Sequence, residues 1–250
     1  MKLLIFGRSA CLCAIFLING AVAWAARPMV TDDANVVDPR SCQNESWVRF
    51  GHTSIERWTV PGCNFWGDTE VSLGANFLSE QNRTNQQLGL LQIKKRWQVV
   101  APGQWGLSTT LGKVQSTSAA PGFAPTMDTY VNIPLTWQTS QGPVLHLNLG
   151  AYHHQAERVT QSTWGIGGEV PLHPRMFAIM EAFGEAGNRS KVQLGLRYWV
   201  VPQAVQIDTT MGQDIQGTSQ SRWLSLGLRL ITQALYSGCP AKRPCFTGLS

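Results

Sequence analysis

Charged side chains are scarce in this sequence. Asp, Glu, Lys and Arg make up 14% of the 250 residues, whereas soluble domains carry about 25%. The mean hydropathy is nevertheless only −0.10, because Gly, Ser, Thr, Asn and Gln replace the missing charges. A bundle of membrane helices is more apolar, and a disordered chain has fewer aromatics and more charge. The composition instead suits a transmembrane β-barrel, in which apolar and uncharged polar residues alternate.

Long apolar runs are also missing after residue 26, where no stretch of about 18 apolar residues could form a spanning helix. Apolar residues instead alternate with polar or small ones over segments of roughly 8 to 11 residues, which predicts strands. The clearest segments are 71–77, 105–111, 145–151, 164–170, 192–200 and 224–230, and weaker ones lie near 43–50, 54–62, 87–98, 128–138, 176–185 and 204–212. About twelve strands result, and a closed antiparallel bacterial barrel normally has an even number.

The N-terminal residues have the features of a secretory signal peptide. Lys2 and Arg8 precede an apolar run through Leu17, and Ala23-Trp24-Ala25 offers a cleavage site. We therefore expect a signal peptide at 1–25, a periplasmic N-terminal segment at 26–41, a transmembrane barrel at 42–230 and a periplasmic tail at 231–250. Export to the outer membrane of a Gram-negative bacterium follows from this layout.

The predicted connections differ between the two ends of the barrel, as they do in outer-membrane barrels. Short turns fall at Pro102-Gly103, Gln141-Gly142, His173-Pro174 and Pro202-Gln203, whereas longer polar loops fall near 79–86, 115–127, 154–162 and 213–221. A soluble β-sandwich also alternates. Two features favour the membrane barrel over it: the small polar residues on the inward positions, and aromatics on outward positions that suit a membrane interface. Those aromatics are Trp58, Trp97, Trp137, Trp164 and Tyr198.

Four cysteines remain once the signal peptide is removed, and an even number in an exported chain predicts disulfides. Cys42 and Cys63 are symmetric about the turn at 51–54, so they would face each other in a hairpin. Cys239 and Cys245 bound a short loop that could close on itself, and all three pairings remain open. The spacing fits no zinc site, and we predict neither a metal nor another cofactor.

Several segments resemble an outer-membrane family labelled for the meta-pathway of phenol degradation. The mature start contains Arg27, Pro28, Thr31, Asp32 and Asp33, as in the Arg-Pro-x-x-Thr-Asp-Asp opening of that family. The stretches 193–199, 205–208 and 223–230 are similar as well. The resemblance implies a barrel that moves small, in particular aromatic, compounds, and it supplies no catalytic residues. The four mature cysteines and the tail depart from the family pattern.

A few charged and polar residues fall on inward positions of the predicted late strands, and these are the candidates for a lumen constriction. They would either select permeants, as charged rings do in channels, or form a structural salt-bridge network. The candidates are His146, Asn148, Glu169, Glu181, Arg197, Asp208 and Arg229.

Other polar clusters have simpler interpretations. Asp32 and Asp33 predict a plug or turn rather than a metal site, and Lys94-Lys95-Arg96 predicts a solvated strand end. Removal of Lys2 and Arg8 lowers the formal net charge from +5 to about +3. That mild excess, without a basic cluster, excludes a nucleic-acid partner.

Three functions remain open at the level of sequence. The first is a channel for small molecules with outer-membrane lipids as its surroundings. The second is a lipid-modifying enzyme, although His146 has no evident Ser on its level and neither G-x-S-x-G nor H-E-x-x-H occurs. The third is a closed structural barrel that acts through its outer loops. The sequence favours the channel.

Overall fold

A computed structural model describes residues 29–81, 85–118 and 125–232. The signal peptide, Arg27, Pro28, Cys239 and Cys245 lie outside these residues. The described chain forms twelve strands: β1 (Cys42–Phe50), β2 (Ser54–Asn64), β3 (Thr69–Glu80), β4 (Gln86–Gln98), β5 (Gln104–Ser118), β6 (Thr126–Gln138), β7 (Val144–His154), β8 (Val159–His173), β9 (Met176–Glu185), β10 (Lys191–Val201), β11 (Val205–Asp214) and β12 (Trp223–Ile231). Within these ranges no helix has the length and apolar character to cross a membrane.

The strands close into a barrel in which each strand pairs antiparallel with its sequence neighbours. Closure is made by β1 and β12, which run in register from Gln43 opposite Ile231 to Phe50 opposite Leu224. Closure removes the free sheet edges and satisfies the backbone groups, which a strand protein needs in a bilayer. The predicted twelve-stranded antiparallel barrel is confirmed.

The two faces of the wall are inverted relative to a soluble protein. Large apolar side chains point outward and are exposed, such as Leu149 at 68% and Leu73 at 59%. Polar side chains point inward and are buried, such as His146 at 2% and Gln206 at 0%. Exposure of apolar groups to water is unfavourable, so the outward face suits hydrocarbon rather than solvent.

The short turns fall where the sequence predicted them, in the connections 99–103, 139–143, 174–175 and 202–204. The prediction of a long loop at 154–162 is wrong. Strand β7 continues to His154 and β8 begins at Val159, so only residues 155–158 connect them. Residues 159–162 pair with 151–154 although they are mostly polar. A strand that extends beyond the apolar band of the membrane no longer needs apolar residues at alternate positions. The hydrophobic pattern of the sequence therefore predicts strands that are too short at the end of the barrel where β7 and β8 connect.

One predicted interfacial aromatic faces the interior. Trp58 is 4% exposed and stacks on Trp47, with ring centroids 5.6 Å apart. The outward positions of β2 around it are Arg57 and Thr59, so the apolar–polar alternation of this strand is reversed. By contrast, Trp97, Trp164 and Tyr198 are outward, at 64%, 39% and 40% exposure.

Of the pairings that the sequence left open, the structure contains the one between Cys42 and Cys63. The two residues oppose each other in the β1–β2 register, their Cα atoms are 4.1 Å apart, and a disulfide joins them. It cross-links the hairpin at the end of the barrel where the described chain enters and leaves it.

Candidate functional site: the barrel lumen

The N-terminal segment before β1 lies across the inside of the barrel. Residues 29–37, called the lumen segment below, are mostly buried: Met29 is 3% exposed, Thr31 2%, Ala34 0% and Val37 6%. Residues 38–40 are exposed and connect the segment to β1. The contacts of the lumen segment run from β9 on one wall to β3 on another, so it forms a transverse plug.

Side chains of the wall bind the backbone of the lumen segment at its first residues. The N–H groups of Val30 and Thr31 donate to the two carboxylate oxygens of Glu181, at 2.7 and 2.5 Å. The N–H of Asp32 donates to Asn148 Oδ1 at 2.7 Å, and Asn148 Nδ2 donates to the Asp32 carbonyl at 2.7 Å. Glu181 and Asn148 therefore hold the segment rather than stand in an open passage.

The second half of the lumen segment is bound in the same manner. The Ala34 N–H donates to Thr136 Oγ1 at 2.8 Å, and the Val37 N–H donates to Glu70 Oε2 at 2.8 Å. Asn64 Nδ2 donates to the Val37 carbonyl at 2.6 Å. An extended segment has no ladder partners of its own, and these wall groups satisfy backbone atoms that would otherwise be buried unpaired.

A buried ion pair joins the lumen segment to β4. Lys94 Nζ lies 2.8 Å from Asp32 Oδ1 and 3.8 Å from Asp33 Oδ1, and Lys94 is 4% exposed. The prediction that Lys94-Lys95-Arg96 is a solvated strand end is therefore wrong for Lys94. Successive residues of a strand face opposite sides, so only Lys95 points outward, where it donates to Asp68 at 2.5 Å. That hydrogen bond holds the pKa of Asp68 below its ordinary value.

Two glycines of β8 allow the lumen segment to approach the wall. A Cβ atom at Gly165 would lie 2.7 Å from Thr31 Oγ1 and 3.3 Å from Thr31 Cβ. A Cβ atom at Gly167 would lie 2.2 Å from the terminal methyl of Met29. Larger residues at these positions would occupy the space that the lumen segment fills.

The remaining lumen candidates are also on the inward face, where they are linked to one another. Arg197 Nη1 donates to Glu169 Oε2, although the two residues lie on β10 and β8, with β9 between them. Arg229 Nε is 3.3 Å from Glu45 Oε1, which joins β12 to β1 across the closure. Asp208 is 6% exposed and opposes Arg197 in the β10–β11 register. Glu45 and Glu70 were not named as lumen candidates from the sequence: Glu45 lies on the weakly alternating β1, and Glu70 lies at the start of β3, away from the late strands on which the candidates were sought.

His146 connects the lumen segment to these ion pairs. Its Nδ1 is 2.9 Å from Thr136 Oγ1, and its Nε2 is 3.1 Å from Glu169 Oε1. Since Thr136 Oγ1 accepts the Ala34 N–H, its hydroxyl hydrogen can donate to Nδ1, which leaves Nε2–H for Glu169. The result is a hydroxyl–imidazole–carboxylate chain. Its hydroxyl is covered by the lumen segment, since Thr136 is 0% exposed.

Inward-facing aromatic side chains form a second feature of the lumen. Tyr130 and Tyr152 stack with ring centroids 6.4 Å apart. Trp47 and Trp58 form a separate stacked pair on the first hairpin. Gly112 makes room for Tyr130, because a Cβ there would lie 2.1 Å from its ring. Val114 packs with the two tyrosines in one buried cluster. The sequence pattern hid these residues, since aromatics on polar-face positions break the alternation.

The space left inside the barrel is small. A cavity of about 40 Å³ lies between the lumen segment and the walls of β1 to β5, with Asp32, Lys94, Trp47 and Glu45 among its lining residues. That volume holds a few water molecules. Among the described residues, the lumen segment thus leaves room for only a few water molecules beside it on this side of the barrel.

Comparisons with known proteins place the chain in a family and a fold. Residues 13–231 match the family model described as "Uncharacterised conserved protein UCP029691", so the chain belongs to this family. No curated protein matches the sequence. The match does not test the resemblance to the meta-pathway family, which stays a prediction.

Solved porins share the architecture. The KdgM porin aligns with a TM-score of 0.55 and 8% identity over 75% of this chain and 98% of that one. The KdgM porin in complex with disordered oligogalacturonate aligns with a TM-score of 0.54 and 8% identity, again over 75% of this chain and 98% of that one. The NanC porin aligns with a TM-score of 0.51 and 10% identity, over 76% of this chain and 98% of that one. The chain therefore has the fold of outer-membrane porins.

Proposed function

We propose that the protein is an outer-membrane channel for small molecules and that the lumen segment holds it closed. The observation that carries this proposal is the transverse plug: a polar-walled lumen occupied by a segment at the start of the described chain. A barrel that served only as a scaffold could fill its lumen with its own wall side chains. Here a separable peptide occupies the passage instead.

The contacts of the lumen segment suit a plug that can leave. Its backbone is held by hydrogen bonds to Glu181, Asn148, Thr136 and Glu70, and these wall groups can bind water when the segment withdraws. The exposed residues 38–40 give it a tether on β1. Withdrawal would widen the lumen by the cross-section of an extended peptide, which is enough for a small solute.

The inward aromatics support small aromatic compounds as permeants. Trp47 and Trp58 line the cavity beside the lumen segment, and aromatic rings there offer stacking surfaces to aromatic solutes once the segment withdraws. The resemblance of the N-terminal motif to the meta-pathway family points to the same class of compound. The ion pairs of Glu169 and Glu45 would then line the polar part of the path.

Planar-bilayer conductance tests the proposal directly. The full mature chain should be closed for most of the recording, whereas a variant lacking residues 26–37 should give stable stepwise conductance. Retention of the heat-dependent shift in gel mobility would show that the shortened barrel is folded. A folded, shortened barrel that carries no ions and no solute would favour a closed structural barrel and overturn the channel.

A hydrolase is the second candidate, because Thr136, His146 and Glu169 form a hydroxyl–imidazole–carboxylate chain of the kind that activates a nucleophile. The matched test is turnover of phospholipid and lipid A by the shortened barrel, where Thr136 is uncovered. Turnover abolished by His146→Gln would support the enzyme. Absence of turnover in a conducting barrel would leave the channel as the function.

A further inference from the structure

We infer that the outward surface of β4 to β8 binds a phosphorylated lipid of the outer leaflet, with Lys113 and His153 contacting its phosphate. The inference goes beyond channel function and rests on the proposed location in the outer membrane. It stands on strand register, on the shape of the surface and on the depth of Lys113.

The first observation is a row of polar side chains that crosses four neighbouring strands on the outward face. Lys113 on β5 opposes Thr129 on β6, Thr129 opposes His153 on β7, and His153 opposes Thr160 on β8. All four positions are on the outward face. Directly opposed residues lie about 5 Å apart, so an ammonium, two hydroxyls and an imidazole follow one another across these four strands. Within the row, His153 Nδ1 lies 3.0 Å from Thr160 Oγ1.

The second observation is a groove that begins at this row. It has a volume of about 510 Å³, and its apolar walls are formed by Leu91, Ile93, Leu111, Val131 and Ala151. Lys113, Thr129, His153 and Thr160 line the same groove. Ala151 opposes Val131 next to the polar row, and its small side chain leaves the depression between bulkier neighbours. An apolar groove with polar groups at one end matches an acyl chain with its headgroup.

The depth of Lys113 places this end of the polar row at a headgroup region. Trp105 on the same strand and face is an interfacial aromatic near the opposite end of the barrel, and the two positions differ by 113 − 105 = 8 residues. With about 3.3 Å per residue and a tilt of about 40°, that separation spans roughly 20 Å of membrane, close to the height of the apolar band of such barrels. The row lies away from the chain ends and so faces the outer leaflet.

The third observation is the charge of Lys113, which no acidic side chain neutralises among the described residues. Lys113 is exposed and outward, whereas the outward Lys95 is only partly exposed and has Asp68 as its partner. A lysine at the edge of the apolar band is tolerated best with an anion beside it, and basic clusters at this depth bind lipid phosphates. A phosphate group would give Lys113 its counter-charge and accept from Thr129 and His153.

Lipid binding can be measured by native mass spectrometry of the refolded full mature chain. The probe is bisphosphorylated lipid A, compared with dephosphorylated lipid A and with phosphatidylcholine. We expect a preference for the phosphorylated form that falls about tenfold in the Lys113→Gln/His153→Gln variant, since charge-assisted contacts are lost. Lys95→Gln removes an outward lysine elsewhere on the same wall and serves as the matched control.

Two outcomes would overturn the inference: equal binding of phosphorylated and dephosphorylated lipid A, or an equal loss of binding in Lys95→Gln. Both outcomes are independent of conductance, so failure of the lipid site is distinguishable from failure of the channel. The substituted side chains are on the surface, and heat-dependent gel mobility verifies that each variant is folded.

Discussion

Lys94 on β4 and Asp32 of the lumen segment form a buried ion pair, with 2.8 Å between Nζ and Oδ1. The two residues are 62 positions apart in the sequence. The pair fixes the centre of the plug to the wall, while the neighbouring contacts of the segment are backbone hydrogen bonds. Removal of one partner from a buried pair costs about 3–5 kcal/mol, because the other charge is left uncompensated.

Lys94→Gln should therefore release the lumen segment. We expect an open probability at least tenfold above that of the wild type in planar bilayers, together with faster proteolysis of residues 29–37. Lys95→Gln is the control, because its exposed pair with Asp68 contributes about 1 kcal/mol or less. A Lys94→Gln channel that stays as closed as the wild type would contradict the plug.

A cross-link should lock the same segment in place. A Cβ at Gly165 would lie 3.3 Å from Thr31 Cβ, near the separation in disulfides. Gly165→Cys/Thr31→Cys should form a disulfide that abolishes conductance, and reductant should restore it. The Thr31→Cys single variant controls for the added thiol. Reductant that opens the single and double variants alike would argue against a locked plug.

The ion pair of Arg197 with Glu169 should stabilise the barrel. Arg197→Met leaves Glu169 and His146 without the guanidinium, and we expect a loss of about 3–5 kcal/mol in the free energy of unfolding by urea. Arg197→Met/Glu169→Gln should recover part of that loss, since the carboxylate of Glu169 is removed together with its cation. If stability is unchanged while the ion selectivity of the shortened barrel shifts, the pair is a selectivity element instead.

The disulfide of Cys42 with Cys63 should be present in the purified protein. Mass spectrometry of the non-reduced chain should find the two cysteines in one linked peptide. Cys42→Ser/Cys63→Ser should lower the free energy of unfolding by about 3 kcal/mol, as expected for a loop with a sequence separation of 21. Free thiols at both positions would refute the assignment.

Much of the wall follows from local pattern. The number of strands, their antiparallel order and the position of Cys42 opposite Cys63 were all predictable, because alternation and hairpin symmetry act between sequence neighbours. The faces of the first hairpin were harder to assign from the sequence. Trp58 was assigned to the outer face because the polar outward residues Arg57 and Thr59 reverse the usual alternation, and the same reversal concealed Glu45.

The site was predictable only in part. The sequence identified His146, Asn148, Glu169, Glu181 and Arg197 as inward residues, but not what they bind. Glu181 and Asn148 bind backbone groups of the lumen segment. Every residue except proline has a backbone N–H, so the sequence does not indicate which of these groups a wall side chain binds. Arg229 was grouped with the other late-strand candidates, and it meets Glu45 of β1 across the closure of the barrel.

The sequence by itself determined that this protein is a twelve-stranded barrel with an apolar exterior and a polar interior. Successive side chains of a strand point to opposite faces, so alternating apolar and polar residues define the two faces of the wall strand by strand. Only the tertiary structure decided that residues 29–37 occupy the lumen. The contacts of Asp32 with Lys94, of Thr31 with Gly165 and of Val30 with Glu181 join positions far apart in the chain. They exist only because barrel closure brings distant strands around one narrow space, where a segment with unpaired backbone groups finds its partners.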